Sequence, residues 1–308
     1  MDRPQAEDRQ HAAVPGRNRT VSLAVVIVTY NSASVLPGLL DSLPAGLEGI
    51  ANCQVIVVDN ASRDGSADLA LTHPIGAKVI RMGRNAGYSA GINAATATVA
   101  PHADLLVLNP DVRLHPGAAR HLVDRLAEAS VGVVAPQILH EDNTIAKSLR
   151  REPTIVTAWS EALLGGKRAA KLGIGEIIDN STLYSTGGKV EWVTGAILAI
   201  SARARRVVGD WDETFFLYSE EVDYLARVRR SGLSVLYDTT ARAVHIGGDY
   251  LRDPFLSALM TRNRIRYYRR CHGPVASALF RLGIIVGEAR RAAWGHGHRA
   301  ALRAALIS

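Results

Sequence analysis

A chain of 308 residues, 47% hydrophobic and 21% charged, carries enough apolar material for one large domain and too much to be disordered. Its net charge of +7 is uneven: residues 251–308 hold eleven arginines against Asp253 and Glu288, which leaves the first 250 residues at −2. That imbalance argues against a chain-wide nucleic-acid footprint and for a local anionic partner such as phosphate head groups.

Residues 1–20 are polar and charged, without the apolar core of a signal peptide, and read as a disordered lead. Residues 23–28 (LAVVIV) form a continuous, β-branched apolar run, the pattern of a strand buried on both faces. A helix follows over 34–43, then a strand over 54–58, a helix over 66–72 and a strand over 78–82. A helix over 87–99, a strand over 104–108 and a helix over 117–129 continue the series. This alternation predicts a parallel sheet covered by helices. The two cysteines, Cys53 and Cys271, lack metal-ligand spacing and point to free thiols in a reducing compartment.

Each of these strands ends in a polar or glycine-containing loop. Thr29, Tyr30 and Asn31 follow the first, and Asp59 and Asn60 the second. Asn85 and Gly87 come after the third, and Asn109 and Asp111 after the fourth. In an open parallel sheet these ends share the edge where ligands bind, so they predict a nucleotide-sized site. Neither a phosphate loop nor GxGxxG is present. Asp111 with a divalent cation, Mg²⁺ or Mn²⁺, is then the group expected to handle phosphates.

Beyond residue 130 the pattern is mixed. Strands are expected over 131–138 and 145–150, a helix over 154–164 and a mobile loop over 165–188. A buried strand over 190–201 carries Gly195, where a backbone or ligand can approach. A last strand over 233–237 leads to residues 241–248 with His245. Residues 209–230 read as an aromatic turn and then a helix capped by Ser219. On that helix Val222, Leu225 and Ala226 share one face, with Glu220, Asp223 and Arg227 opposite and Glu221 at the edge, lining a cleft. A helix start and a nearby cation would both lower the pKa of Glu221. Asp223 and Arg227 can pair at i,i+4.

Near the C-terminus, Leu256, Leu259, Met260, Asn263 and Tyr267 follow helical spacing, with arginines on other faces. The apolar run 275–287, interrupted by Arg281, is too short to cross roughly 30 Å of hydrocarbon. Two readings stay open, a segment lying at a membrane interface and a helical hairpin packed on the domain.

The ordered blocks VVIVTYNS, VVDNASRDGS, NAGYSAGIN, LLVLNPDV, WVTGA, WDETFFLYSEEVDYLARVRRSG and AVHIGG resemble glycosyltransferase family 2. Within it the chain is most similar to bacterial rhamnosyltransferases acting on lipid-linked saccharides, over residues 23–268. The resemblance implies an α/β, A-type glycosyltransferase (GT-A) fold over residues 21–250. Its nucleotide-binding half would be 21–130 and its acceptor and catalytic half 131–250, with basic amphipathic helices over 251–308. It further implies a nucleotide-diphosphate sugar donor (dTDP-rhamnose, with a UDP-sugar as alternative), a divalent cation and inversion at the anomeric carbon. The acceptor would be a polyprenyl diphosphate-linked saccharide, met at an anionic membrane surface on the cytoplasmic side of the plasma membrane.

By position, Thr29, Tyr30 and Asn31 would hold the nucleoside, and Asp59 would accept from the imide N–H of the base. Asn85, Gly87 and Asn109 would lie against the nucleotide. Asp111 stands at the metal position, with His245 close to metal and diphosphate. The acidic pair falls on Glu220 and Glu221, with the base matching Glu221. Arg150, Trp192 and Gly195 would contact acceptor or phosphate. Two departures stand out: Asn109 replaces the first Asp of Asp-x-Asp, and the acidic pair is Glu-Glu where Glu-Asp is usual, which keeps Glu220 open as the base. A nucleotidyltransferase would need a basic Gly-rich loop that is not found, and a non-catalytic nucleotide-sugar-binding module is the remaining alternative.

Overall fold

The first apolar run becomes β1 (Ser22–Thr29), whose residues 23–28 are at most 5% exposed. Alternate side chains enter opposite layers: Ala24, Val26 and Val28 join one core, and Leu23, Val25 and Ile27 the other. The computed structural model describes residues 22–247 and 253–308. The lead expected over residues 1–20 and the end of the 241–248 segment lie outside the described residues.

The expected alternation follows as α1 (Leu36–Gly46), β2 (Asn52–Asp59), α2 (Ser66–Thr72), β3 (Lys78–Arg81), α3 (Tyr88–Thr96) and β4 (Asp104–Leu108). β1 pairs in parallel with β2 and β4, and β2 with β3. A short β5 (Val112–Leu114) precedes α4 (Ala118–Leu126) and β6 (Val131–Leu139). The strand expected over 145–150 is reduced to β7 (Leu149–Arg150), followed by α5 (Ile155–Leu164).

The second half departs from the sequence reading in three places. The loop expected over 165–188 contains α6 (Gly166–Lys171) and α7 (Ser181–Thr186), the latter capped by Asn180, whose side chain accepts from the Leu183 N–H at 3.1 Å. The single strand expected over 190–201 is divided into β8 (Gly188–Val190), β9 (Trp192–Val193) and β10 (Ile197–Ile200). Its parts have different partners. β8 pairs with the last strand, β9 with β7, and β10 inserts antiparallel between β4 and β6. After α8 (Ala202–Val208) and α9 (Glu220–Arg230), the segments expected over 233–237 and 241–248 merge into β11 (Ser234–His245). Its register shifts between Asp238 and Arg242, where the Asp238 carboxylate accepts from the Thr240 N–H (2.7 Å) and hydroxyl (2.6 Å). The sheet order is β3-β2-β1-β4-β10-β6-β11-β5, with β6 and β11 parallel.

The C-terminal segment forms α10 (Pro254–Cys271), α11 (Pro274–Arg291) and α12 (His296–Ile307). They pack on one another and on α5 around Ala158, Ile265, Tyr268, Phe280, Ile284 and Ala305. Several arginines are spent inside this packing. Arg264 bridges Glu161 (3.2 Å) and Glu176 (2.5 Å), and Arg290 donates to the carbonyls of Ala162 and Leu163, both at 2.8 Å. The helices thus pack on the domain, as the hairpin reading has it, and the interface reading concerns their exposed faces. Among the described residues no helix is long and apolar enough to cross a membrane.

Candidate active site

The carboxyl ends of β1, β3 and β4 surround a cleft of about 360 Å³ lined by Thr29, Tyr30, Asn31, Asn85, Gly87, Asn109 and Asp111. A second cavity of about 520 Å³ is lined by Arg150, Trp192, Gly195, Glu220, Glu221 and His245. Tyr88, Asn109, Asp111 and Leu217 line both. The polar strand ends and the distant acidic pair thus meet across one seam.

Asp59 is the predicted site residue that lines neither cavity. It is 3% exposed, and its carboxylate accepts the Ser62 N–H at 3.2–3.3 Å, holding the turn after β2. The neighbouring Asn60 lines the cleft instead and donates its amide to the Gly87 carbonyl at 3.1 Å. Asn31 takes a left-handed conformation (φ 51°) and ties β1 to the β2 loop, accepting from the Arg63 N–H at 2.8 Å. Gly87 is required for close approach: at φ 95° a Cβ there would collide with the Phe216 carbonyl oxygen. That oxygen accepts the Tyr88 N–H at 2.8 Å.

Asp111 follows β4, and its Oδ1 lies 3.2 Å from Nε2 of His245 at the end of β11. Burial would raise the Asp111 carboxyl, but the imidazole outweighs it and holds the group below its ordinary value. Oδ1 is buried and lacks a well-directed hydrogen-bond donor. Gly247 presses on the same carboxylate, because a Cβ at 247 would overlap Asp111 Oδ2. Among the described residues no group of three or more His, Cys, Asp or Glu could hold a metal ion. One carboxylate and one imidazole nevertheless fit Mg²⁺ or Mn²⁺ when phosphates and water complete the shell.

α9 enters the site end-on. Ser219 does not cap it with its side chain; Tyr218 and Ser219 are both left-handed, at φ 69° and 70°. The helical wheel placed Glu220 opposite the apolar face, yet it is 5% exposed, because the whole first turn is inserted beside the Gly195 turn. Burial opposes the lowering of the Glu221 pKa expected from the helix start. It lifts this carboxyl to about 7, and backbone N–H groups of the helix start offset only part of that. Glu220 is raised well above its ordinary value, first by burial and then by the charge of Glu221. Asp223 and Arg227 pair at 2.8 Å, as their spacing predicts.

Trp192, 7% exposed, donates its indole N–H to the Arg151 carbonyl at 2.7 Å, and the Arg150 guanidinium stands 6.0 Å from its ring centroid. Trp192 thus fixes the position of Arg150 at the cavity wall. The sequence reading missed Tyr88, whose hydroxyl donates to the Gly195 carbonyl at 3.4 Å across the seam. It also left Leu256 and Met260 out of the site, although they wall the second cavity from α10. Their helical spacing was visible, but the surface they would face was not.

A parallel half ending in a polar cleft, joined through an antiparallel strand to a half bearing a carboxylate pair, is the arrangement of a GT-A glycosyltransferase. The family model for glycosyl transferase family 2 matches residues 24–185, and the chain belongs to that family. It is 28% identical over 234 residues to the N-acetylglucosaminyl-diphospho-decaprenol L-rhamnosyltransferase of Mycobacterium tuberculosis, covering 72% of this chain and 75% of the relative. Among solved structures, the mannosyltransferase PcManGT of Pyrobaculum calidifontis, in complex with GDP-Man and Mn²⁺, superposes with a TM-score of 0.57 at 15% identity. That match covers 93% of this chain and 86% of the mannosyltransferase. TarS of S. aureus matches at TM-score 0.52 and 13% identity over 89% of this chain, which spans 44% of TarS. Both likenesses are of fold.

Proposed function

We propose that the chain is an inverting, metal-dependent glycosyltransferase that moves L-rhamnose from dTDP-rhamnose to a polyprenyl diphosphate-linked saccharide in cell-envelope polysaccharide synthesis. The observation that carries this reading is the placement of Glu221, with its carboxyl raised to about 7, in a cavity that shares Asp111 with the nucleotide cleft. The 28% identity to the mycobacterial enzyme supports the choice of donor sugar and lipid-linked acceptor.

In this mechanism the cleft of Thr29, Tyr30, Asn31 and Asn85 binds the nucleotide and directs the sugar toward the seam. Glu221 takes the proton of the acceptor hydroxyl as that oxygen attacks the anomeric carbon opposite the diphosphate. A carboxyl near 7 is half ionised at neutral pH and basic enough to share that proton in the transition state. Glu220, raised well above its ordinary value by burial and by the charge of Glu221, is the supporting member of the pair. Asp111 and His245 would hold the divalent cation, which when bound neutralises charge on the departing diphosphate. Arg150 contributes positive charge on the acceptor side.

With such an acceptor the enzyme works at the cytoplasmic face of the plasma membrane. Outward apolar side chains on the C-terminal helices support peripheral contact there: Val275 is 74% exposed and Trp294 76%, with Leu279 and Leu282 on the same helix as Val275.

Incubation with radiolabelled dTDP-rhamnose, Mn²⁺ and a prenyl-diphospho-N-acetylglucosamine tests the assignment. Label is expected in the lipid fraction with wild type and not with Glu221→Gln, which should still bind nucleotide. Retained turnover in Glu221→Gln removes it as the base. Transfer from UDP-sugars in place of dTDP-rhamnose would reassign the donor, and binding without any transfer would leave a non-catalytic module.

A further inference from the structure

The segment that aims both glutamates is strained and is held from outside the sheet. Tyr218 and Ser219 are successive left-handed residues, neither of them glycine. Such a conformation persists where the surroundings over-determine it. Here the restraint comes from α10. Asn263, 3% exposed, donates its side-chain amide to the Leu217 carbonyl at 2.8 Å and to the Tyr218 carbonyl at 3.2 Å. These are the two carbonyls just before the turn into α9.

The grip continues along the same helix. Arg266 donates to the Thr214 carbonyl at 2.7 Å, and Arg270 pairs with Asp212 and with the Thr214 hydroxyl. On the other side the Tyr88 N–H holds the Phe216 carbonyl. One and two turns before Asn263, Met260 and Leu256 wall the acceptor-side cavity. A single helix therefore touches both the acceptor space and the backbone that orients the acidic pair.

We propose that Asn263 is a positioning residue for the transfer reaction, its amide fixing the left-handed turn that aims Glu220 and Glu221 at the acceptor. This rests on Glu221 acting as the base. Asparagine suits the role because its short, stiff amide offers two donors to two adjacent carbonyls. Aspartate has the same shape but, when ionised, turns acceptors toward those carbonyls.

The test uses the full chain, with dTDP-rhamnose, or the sugar nucleotide returned by a donor screen, and a prenyl-diphospho-N-acetylglucosamine. Asn263→Asp and Asn263→Ala are expected to lower kcat by roughly 10–100-fold, since a misplacement of about 1 Å costs that much. Donor KM and calorimetric nucleotide affinity should move far less than kcat, because Leu217 is the one residue lining the cleft that Asn263 bonds. Adding Ser219→Gly to Asn263→Ala should recover part of kcat, because glycine takes the left-handed conformation without help.

Wild-type kcat in Asn263→Asp would overturn the proposal. So would a fall in nucleotide affinity and melting temperature matching the fall in kcat, with no recovery from Ser219→Gly. Should the aspartate variant not fold, Asn263→Ala carries the same comparison. Glu221→Gln is the control: if it stays active, the functional reading fails, whereas an inactive Glu221→Gln beside a fully active Asn263→Asp removes only the positioning role.

Discussion

Gly195 lies directly against Glu221: a Cβ built on the glycine would stand 3.3 Å from the Glu221 Cβ and 3.6 Å from its Cγ. The glycine is needed for the neighbour it faces, and its φ is not in the left-handed region. Gly195→Ala should therefore push the glutamate out of line while leaving the nucleotide cleft intact. The expected result is a kcat lower by roughly tenfold or more with donor KM unchanged, read from steady-state kinetics.

The raised Glu221 carboxyl has two pH signatures. Turnover should climb with pH and level off above about 7, as the base ionises. Stability runs the other way. A carboxyl raised from 4.5 to about 7 in the fold contributes stability that is complete below 4.5 and lost as pH rises through 7. The effect is at most roughly 3 kcal/mol. Glu221→Gln should therefore melt higher than wild type at pH 8, with the gain shrinking toward pH 5 in calorimetric scans.

Asp111 and His245 share one predicted phenotype. Asp111→Asn and His245→Ala should each weaken Mn²⁺-dependent dTDP binding by about tenfold or more, since each would remove one of the two protein donors proposed for the cation. Titrations with Mn²⁺ and with EDTA should converge in the variants and differ in wild type.

Gly87→Ala combines a left-handed backbone with a collision against Phe216. It should destabilise the fold by about 1–3 kcal/mol and separate α3 from the loop leading to α9. Thermal melting and nucleotide titration should show both losses together.

Ending the chain near Arg270 would uncover Ile265 and Tyr268, so truncation mixes unfolding with membrane release. Val275→Glu with Leu279→Glu is cleaner, because both side chains face outward. Pelleting with anionic vesicles should fall, with melting temperature shifted by no more than the equivalent of about 0.5 kcal/mol per site.

Much of the first half was legible because buried parallel strands are continuous apolar runs, and β1, β2 and β4 need no other signal. The polar residues after them were equally plain, since strand direction alone places them on one edge. The acceptor half was less so. Residues 190–201 look like one strand, and only their pairing with β11, β7 and β4 divides them. Glu220 and Glu221 were visible as a pair, but a helical wheel cannot show a helix inserted by its end. The burial that raises the Glu221 carboxyl was hidden for the same reason: the helix start is local, whereas the desolvation that opposes it comes from distant segments. Asn263 was visible as one position of a helical face, and its partners lie 45 and 46 residues away.

The place of β10 in the sheet bears on how the enzyme is made. Its register sets Ile197 opposite Leu108, and the Asn109 N–H reaches the Ala196 carbonyl at 2.9 Å. A nascent chain can pair β1, β2, β3 and β4 as they emerge, for these lie close in sequence. It must then wait for almost ninety more residues before the middle of the sheet closes. Long-range pairings of this kind are slow and leave strand edges open to other chains. Until β10 arrives the facing edges of β4 and β6 stay unpaired, so the polar strand ends and the acidic pair come together only when the middle of the sheet has closed.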